Sequence, residues 1–498
     1  MTIDAALEQA AQGGLNAEAL GNLARMALAT GEEERALPWL RAAAARSNDA
    51  RLWQWTGLLE RAVEALDLAI ISFTQAARLA PTDPSIAHGH ARVTLDAGFD
   101  AVALFDRARR LDPANGEVLA GFAAALLAAG ERARAEALLD AVLVQSPLWV
   151  QGHLHLAQLR ALIGHADQAT ASFERALAAH PGEPMLWQGL CDLYVSAENY
   201  AALADAVDRA RAAGVAATET HDYAAIAAAE LGQIAQADAL LAATSSPLTV
   251  WRIRHLLRQG RLTAALALIE NALAGPDRDA IWPYALIAWR LAGDPRVDWL
   301  APSALVKIID LAPTLPPLDQ LADVLRGLHR AQGSYLDQSV RGGTQTDGPL
   351  LNRVDPIIQA VRQSITTAVE SYVAGLPAID PAHPMLALRR DRPVRFAGSW
   401  SVWLRDGGHH ANHVHPQGWI SSALYVALPD RPDDTDPHAG WLTIGEPQAA
   451  IGIDQPPIQL IEPRPGQLVL FPSWLWHGTR PFAQGDRLTI AFDVAPPV

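Results

Sequence analysis

Pro81, Pro113, Pro147 and Pro181 follow one another at spacings of 32, 34 and 34 residues, in alanine- and leucine-rich sequence that runs at helical period. Between them a second pattern repeats, glycine followed five residues later by alanine: Gly31/Ala36, Gly98/Ala103, Gly130/Ala135, Gly164/Ala169, Gly232/Ala237 and Gly260/Ala265. Glycine closes the turn between two antiparallel helices, a small alanine lets the pair approach closely, and proline stops the second helix. A helix pair cannot bury its apolar face alone, so units of this length must stack on their neighbours. The expectation is a helical solenoid of seven or eight units over residues 15 to 275. The unit near residue 65 lacks its glycine, and the last glycine spacing shortens to 28.

The pattern resembles the tetratricopeptide repeat, whose period is about 34 residues. Trp187, Leu190 and Tyr194 match that family's first helix, and Ala169, Phe173, Ala176 and Pro181 its second, while Cys191 stands where a small glycine is usual. The resemblance implies a concave groove that captures a protein or peptide segment. The plainer alternative is an array that only scaffolds the rest of the chain. Trp39, Trp53, Trp55, Trp149, Trp187 and Trp251 are read as helix-packing residues, and Cys191 as a buried small residue rather than a nucleophile.

At 498 residues the chain exceeds one ordinary core, so two domains are expected. A formal charge of −15 argues against binding to nucleic-acid phosphate and leaves proteins or small molecules as partners. One cysteine excludes an intrachain disulfide and a site built from several thiolates. The first residues lack a basic patch and an apolar run, and no stretch approaches the roughly 20 apolar residues of a membrane span, so a cytoplasmic location is expected.

Beyond residue 275 the periodicity loosens at Pro295, Pro302, Pro313, Pro316 and Pro317. An amphipathic helix is expected in the stretch ending at Gly333, then a glycine-rich loop over 336 to 351, then a helix capped by Asp355. The boundary falls near 330: a helical repeat domain over residues 1–330 and a second domain over 331–498. After residue 385 short apolar and aromatic runs predict strands over Val394 to Leu404, Trp419 to Ala427, Trp441 to Ile444, Gln467 to Phe471 and Arg487 to Val494. Such spacing argues a sandwich or barrel.

Four of the sixteen histidines fall at His409, His410, His413 and His415. Neutral imidazole is the commonest protein ligand for a transition metal, and residues i and i+2 of a strand share a face. His413 and His415 at the start of one strand could therefore hold one ion, with His477 as third ligand from a neighbouring strand.

The runs NHVHPQGWISSALYVALP, GWLTIGEP, PGQLVLFPSWLWHGTRPF and RLTIAFDV resemble the iron(II)- and 2-oxoglutarate-dependent oxygenases related to prolyl hydroxylases. The resemblance covers about residues 335 to 498 and implies a double-stranded β-helix, of jelly-roll or cupin-like type, holding one iron and 2-oxoglutarate as co-substrate. His413 and His477 match that family's histidines, and His415 stands where a carboxylate is common. Arg487, ten residues beyond His477, matches the residue that holds the far carboxylate of 2-oxoglutarate, and its planar fork suits that task. Tyr425 and Thr489 are implied beside it. Asn412, His410, Arg341 and Gln345 are candidate contacts around the mouth. Implied overall is a dioxygenase hydroxylating a protein or peptide held by the repeats. Two alternatives stay open. One is a metal-binding cupin without 2-oxoglutarate, suggested by Gly466, Pro472 and His477 but lacking the expected glutamate at Trp419 or Ile420. The other is a non-catalytic repeat adaptor.

Overall fold

The computed structural model describes residues 2–12, 15–333, 336, 339–429 and 436–497. From Ile3–Ala11 to Trp282–Ala292 the chain is a solenoid of paired helices. Each within-pair turn carries a left-handed residue. Gly31, Gly98, Gly130, Gly164, Gly232 and Gly260 all have φ between 66° and 89°, a conformation that costs a residue with a Cβ about 1 kcal/mol or more. Ala36, Ala135, Ala169, Ala237 and Ala265 are buried behind these turns. Ala103 is instead exposed, and Ala101, just before the helix Val102–Leu111, is the buried small residue.

The unit that lacks its glycine keeps the same backbone. Glu64 sits there at φ 60°, and Glu198 occupies the corresponding turn four units later at φ 53°. Both side chains reach outside the solenoid. The Glu64 carboxylate lies 2.7 Å from Arg362 Nη2 and accepts the Phe396 N–H at 2.9 Å, while Glu198 accepts from Gln448 Nε2 at 2.7 Å.

These contacts belong to a series along one edge of the solenoid. Glu32 and Glu34 pair with Arg392 at 3.2 and 3.3 Å, and Glu34 also with Arg395. Arg353 donates to the Gly98 carbonyl, and the backbone of Gln332 and Gly333 to the Leu162 carbonyl. Arg258 donates to the Ala450 carbonyl, and Arg290 to those of Gly445 and Pro456. The turns thus grip the second half of the chain from one end of the array to the other.

Among the described residues the second half has nine strands: β1 (Lys307–Asp310), β2 (Val340–Gln345), β3 (Phe396–His410), β4 (Ile420–Ala427), β5 (Leu442–Ile444), β6 (Gln459–Ile461), β7 (Gln467–Pro472), β8 (His477–Thr479) and β9 (Arg487–Val494). Six make one antiparallel sheet in the order β1-β7-β4-β9-β3-β2, and three make a second in the order β6-β5-β8. From β4 to β9 the chain crosses between the two sheets at β4 to β5, β6 to β7, β7 to β8 and β8 to β9.

Two elements of the large sheet depart from the expected layout. The glycine-rich stretch read as a loop contains β2, an edge strand paired with β3. Glycine is needed there because a Cβ on Gly343 would stand 2.5 Å from the Trp403 carbonyl oxygen, so the residues that look like loop are those that permit close pairing. Asp337 and Gln338 of that expected loop lie outside the described residues. β1 precedes residue 330 yet pairs with β7, and the helix Leu318–Leu328 packs in the core beneath the sheet. Chain before residue 330 thus already packs with the sheets.

Strand alternation fixes what each face does. On β9, Leu488, Ile490, Phe492 and Val494 enter the core shared with the helices Leu318–Leu328 and Pro356–Ala374. The latter helix starts at the Asp355 cap, whose carboxylate accepts the Ile357 and Ile358 N–H groups. Arg487, Thr489, Ala491 and Asp493 face the other way, into a cavity between the sheets.

Candidate metal centre

The cavity, about 320 Å³, is lined from the large sheet by Arg487, Thr489 and Asp493 and from the small one by Leu442, His477 and Thr479. His413 and His415 enter it from the connection between β3 and β4. They do not begin a strand. Pro416 has no N–H for a ladder, and the segment is held by one isolated bridge instead. The His413 and His477 backbones exchange two hydrogen bonds, N to O, at 2.9 and 3.0 Å. The His415 N–H is anchored to the Ser473 carbonyl at 2.8 Å.

The result is a convergent triad. His413, His415 and His477 each offer a ring nitrogen within 4.8 Å of the others, a group that could hold a metal ion. Their tautomers follow from their partners. His413 Nδ1 lies 2.8 Å from the Ala411 carbonyl and His477 Nδ1 2.9 Å from that of Leu475. A carbonyl oxygen only accepts, so each Nδ1 carries the proton and each Nε2 keeps its lone pair. His415 Nδ1 lies 2.5 Å from the Asp493 carboxylate, with the same consequence. Desolvation and the neighbouring imidazoles push His413 down to about 3 and His477 well below the usual histidine range. For His413 and His477 this favours the neutral ring.

The cavity also holds a cation, Arg487, with no ion-pair partner among the described residues. Arg487 is 3 % exposed, and its Nε and Nη1 have no hydrogen-bond partner. A buried guanidinium left so is costly unless an anion meets it. It lies over the Tyr425 ring at 5.1 Å, and burial lowers its pKa and raises that of Tyr425. Tyr425 stands opposite Thr489 in the β4–β9 register, and its buried hydroxyl also lacks a partner.

Residues 398–493 match the family described as "Putative 2OG-Fe(II) oxygenase". Residues 100–159 match "Tetratricopeptide repeat". The chain is also similar to cellulose synthase operon protein C of Pseudomonas fluorescens, 25% identical over 236 residues, 44% of this chain and 18% of that protein. It thus spans less than a fifth of that relative's length. Among solved structures it is similar to YrrB, described as a TPR protein with an unusual peptide-binding site, at 20% identity over 34% of this chain and 90% of that one, TM-score 0.28. MamA from Desulfovibrio magneticus matches at 16% identity over 33% and 96%, TM-score 0.29. A tetratricopeptide repeat protein from Parabacteroides merdae matches at 18% over 47% and 95%, TM-score 0.30.

The residues of the oxygenase-like domain fit the groups that this family implies. Three Nε2 lone pairs suit a first-row metal, and an unpaired buried guanidinium in the same cavity suits a carboxylate. Of the other expected residues, His410 lines the cavity with its Nδ1 3.1 Å from Ser339 Oγ, and Gln345 lines it from β2. Arg341 lies on β2 opposite His409. Asn412 turns away to the Pro447 carbonyl at 3.3 Å and accepts from Thr443 at 2.9 Å, bracing the histidine segment. Asp493 and Ser339 were missed from sequence. For Asp493 a signal existed, since the period of two that joins Arg487 to Thr489 continues through Ala491 to Asp493.

Proposed function

We propose that the chain is an iron(II)- and 2-oxoglutarate-dependent dioxygenase that hydroxylates a protein or peptide substrate presented by its repeats. The observation that carries this reading is one cavity holding three convergent imidazoles, the Nε2 of His413 3.3 Å from the Ser339 hydroxyl, together with a buried guanidinium whose Nε and Nη1 have no hydrogen-bond partner. Iron and 2-oxoglutarate, when bound, supply oxidation of an unactivated C–H bond by dioxygen, coupled to decarboxylation to succinate.

The chain's own residues do the rest. His413, His415 and His477 would hold the metal through their convergent ring nitrogens. Arg487 pairs the far carboxylate of the co-substrate, with the Tyr425 and Thr489 hydroxyls beside it. Ser421, Ser422 and Phe471 wall the cavity and limit water. Support for the repeats as the presenting surface lies at the rim. Ser339 lines the cavity three residues from Leu336, whose N–H reaches Gln158 of the solenoid at 3.5 Å, and Asn412 bonds Pro447 next to Gln448, the partner of Glu198. No helix among the described residues is long and apolar enough to cross a membrane.

The test is succinate release from 2-oxoglutarate by anaerobically iron-loaded protein on admission of oxygen. Wild type should turn over, whereas H477A and R487A should not. Metal binding by wild type with no 2-oxoglutarate binding would favour a metal-only cupin instead.

A further inference from the structure

His415 differs from its two partners in what holds it. The Nδ1 atoms of His413 and His477 donate to backbone carbonyls, which are neutral, whereas that of His415 donates to a carboxylate, Asp493 Oδ2, at 2.5 Å. The other Asp493 oxygen is also engaged. Oδ1 accepts from Ser421 Oγ at 2.5 Å, and Ser421 Oγ lies 2.9 Å from Ser473 Oγ. Ser473 closes the loop, because its carbonyl accepts the His415 N–H at 2.8 Å. Ring and backbone of one ligand are therefore tied to a single network on β4, β9 and the turn after β7.

Asp493 is committed to this histidine. Among the described residues its ion-pair partner is His415, and the side chain is 13% exposed. The nearest candidate cation on its own strand, Arg487, is six residues away on the same face, roughly 20 Å along an extended chain. Nor is Asp493 placed as a ligand itself. It lies on the Nδ1 side of His415, while the convergent group comprises His413, His415 and His477 alone.

We infer that Asp493 is the positioning carboxylate of the metal centre, returning through His415 the negative charge that a three-imidazole site lacks. The inference rests on the metal reading above. A site of two histidines and one carboxylate leaves a divalent ion with one net positive charge, whereas three neutral imidazoles leave two. A carboxylate behind a ligating imidazole orients the ring and makes its Nε2 a better donor. Here the charge is moved one residue outward, with His415 as conductor.

The test uses the full chain freed of metal and titrated with cobalt(II), read as affinity by chelator competition and as the d–d absorption of the bound ion. D493N keeps size and an acceptor but removes charge. It should bind cobalt about 10- to 100-fold more weakly than wild type, with displaced d–d bands, while the unfolding midpoint of the metal-free protein changes little. S421A, which frees one carboxylate oxygen without touching a ligand, should weaken binding several-fold and serves if D493N folds poorly. A second arm inverts the charge order. H415D should bind cobalt poorly because two carboxylates then adjoin, and adding D493N to it should restore binding. Equal affinity and identical bands in D493N and wild type would overturn the inference, as would a double variant no better than H415D. Wild type that binds no cobalt would overturn the metal reading, and this inference with it.

Discussion

Glu64, on a left-handed turn of the solenoid, and Arg362, on the long helix beneath the large sheet, meet at 2.7 Å with side chains 8% and 18% exposed. Burial raises the Glu64 pKa while Arg362 opposes it. Breaking a largely buried pair costs about 3–5 kcal/mol, and glycine at a left-handed position recovers about 1 kcal/mol. E64G should therefore destabilise the protein by a few kcal/mol in urea unfolding, although glycine is the residue that six sister turns use. An E64G variant as stable as wild type would show that backbone strain dominates the site.

Arg487 should control co-substrate affinity without controlling the metal. R487A is expected to weaken 2-oxoglutarate binding by a hundredfold or more, as loss of a buried charged hydrogen bond implies. R487K should recover part of this, lacking the planar fork. Y425F removes one neutral donor and should cost about tenfold. Calorimetric titration of metal-loaded protein checks all three, with cobalt affinity as the control that should not move.

Gly478 lies between two residues that line the cavity, and there is no room beside it. A Cβ would stand 2.1 Å from Asn412 Oδ1 and 2.9 Å from the His410 carbonyl oxygen. G478A must push Asn412 away from Thr443 and loosen the segment carrying His413 and His415. We expect about 1–3 kcal/mol of lost stability and a measurable fall in metal affinity. Unchanged cobalt binding would show that Asn412 does not brace the histidines.

Acid should destabilise the metal-free protein in part through histidines outside the candidate triad. His383 Nδ1 accepts from the Met385 and Leu386 N–H groups while its Nε2 faces the Leu300 carbonyl, an arrangement that protonation would break. Burial lowers its pKa, and lowers that of His329 to about 4. A base with a depressed folded pKa binds fewer protons folded than unfolded. Its stability is thus present above the unfolded value near 6.5 and lost as pH falls below it towards 4. His329 alone accounts for on the order of 3 kcal/mol across that window. Urea midpoints from pH 7 to 4 should fall steadily, and less steeply in H329Q. A flat profile would contradict the assignment.

The solenoid and the cavity residues were legible because each rests on a strict period. Glycine at left-handed turns repeats visibly, and Arg487 and Thr489 share a strand face. Less legible were features set by partners distant in sequence. β2 reads as loop because Gly342 and Gly343 are chosen for close backbone approach, and β6 and β8 are three residues long, too short to show alternation. Glu64 reads as a lost glycine until Arg362 is beside it, 298 residues on. The expected strand at His413 fails because one bridge to His477, with no ladder, does the same work.

Strand order also dictates when the second half of the chain can fold during synthesis. β9 sits between β4 and β3 in the large sheet, yet is the last of the nine strands to be made, and β1 waits for β7 about 160 residues later. Solenoid units need only their neighbours and can assemble as they emerge, whereas the sheet must wait for these distant pairings. The turn edge carrying Glu32, Glu34, Glu64 and Glu198 precedes the whole sheet in sequence, so the contacts that bind the two halves can close only after the strands they hold have been made.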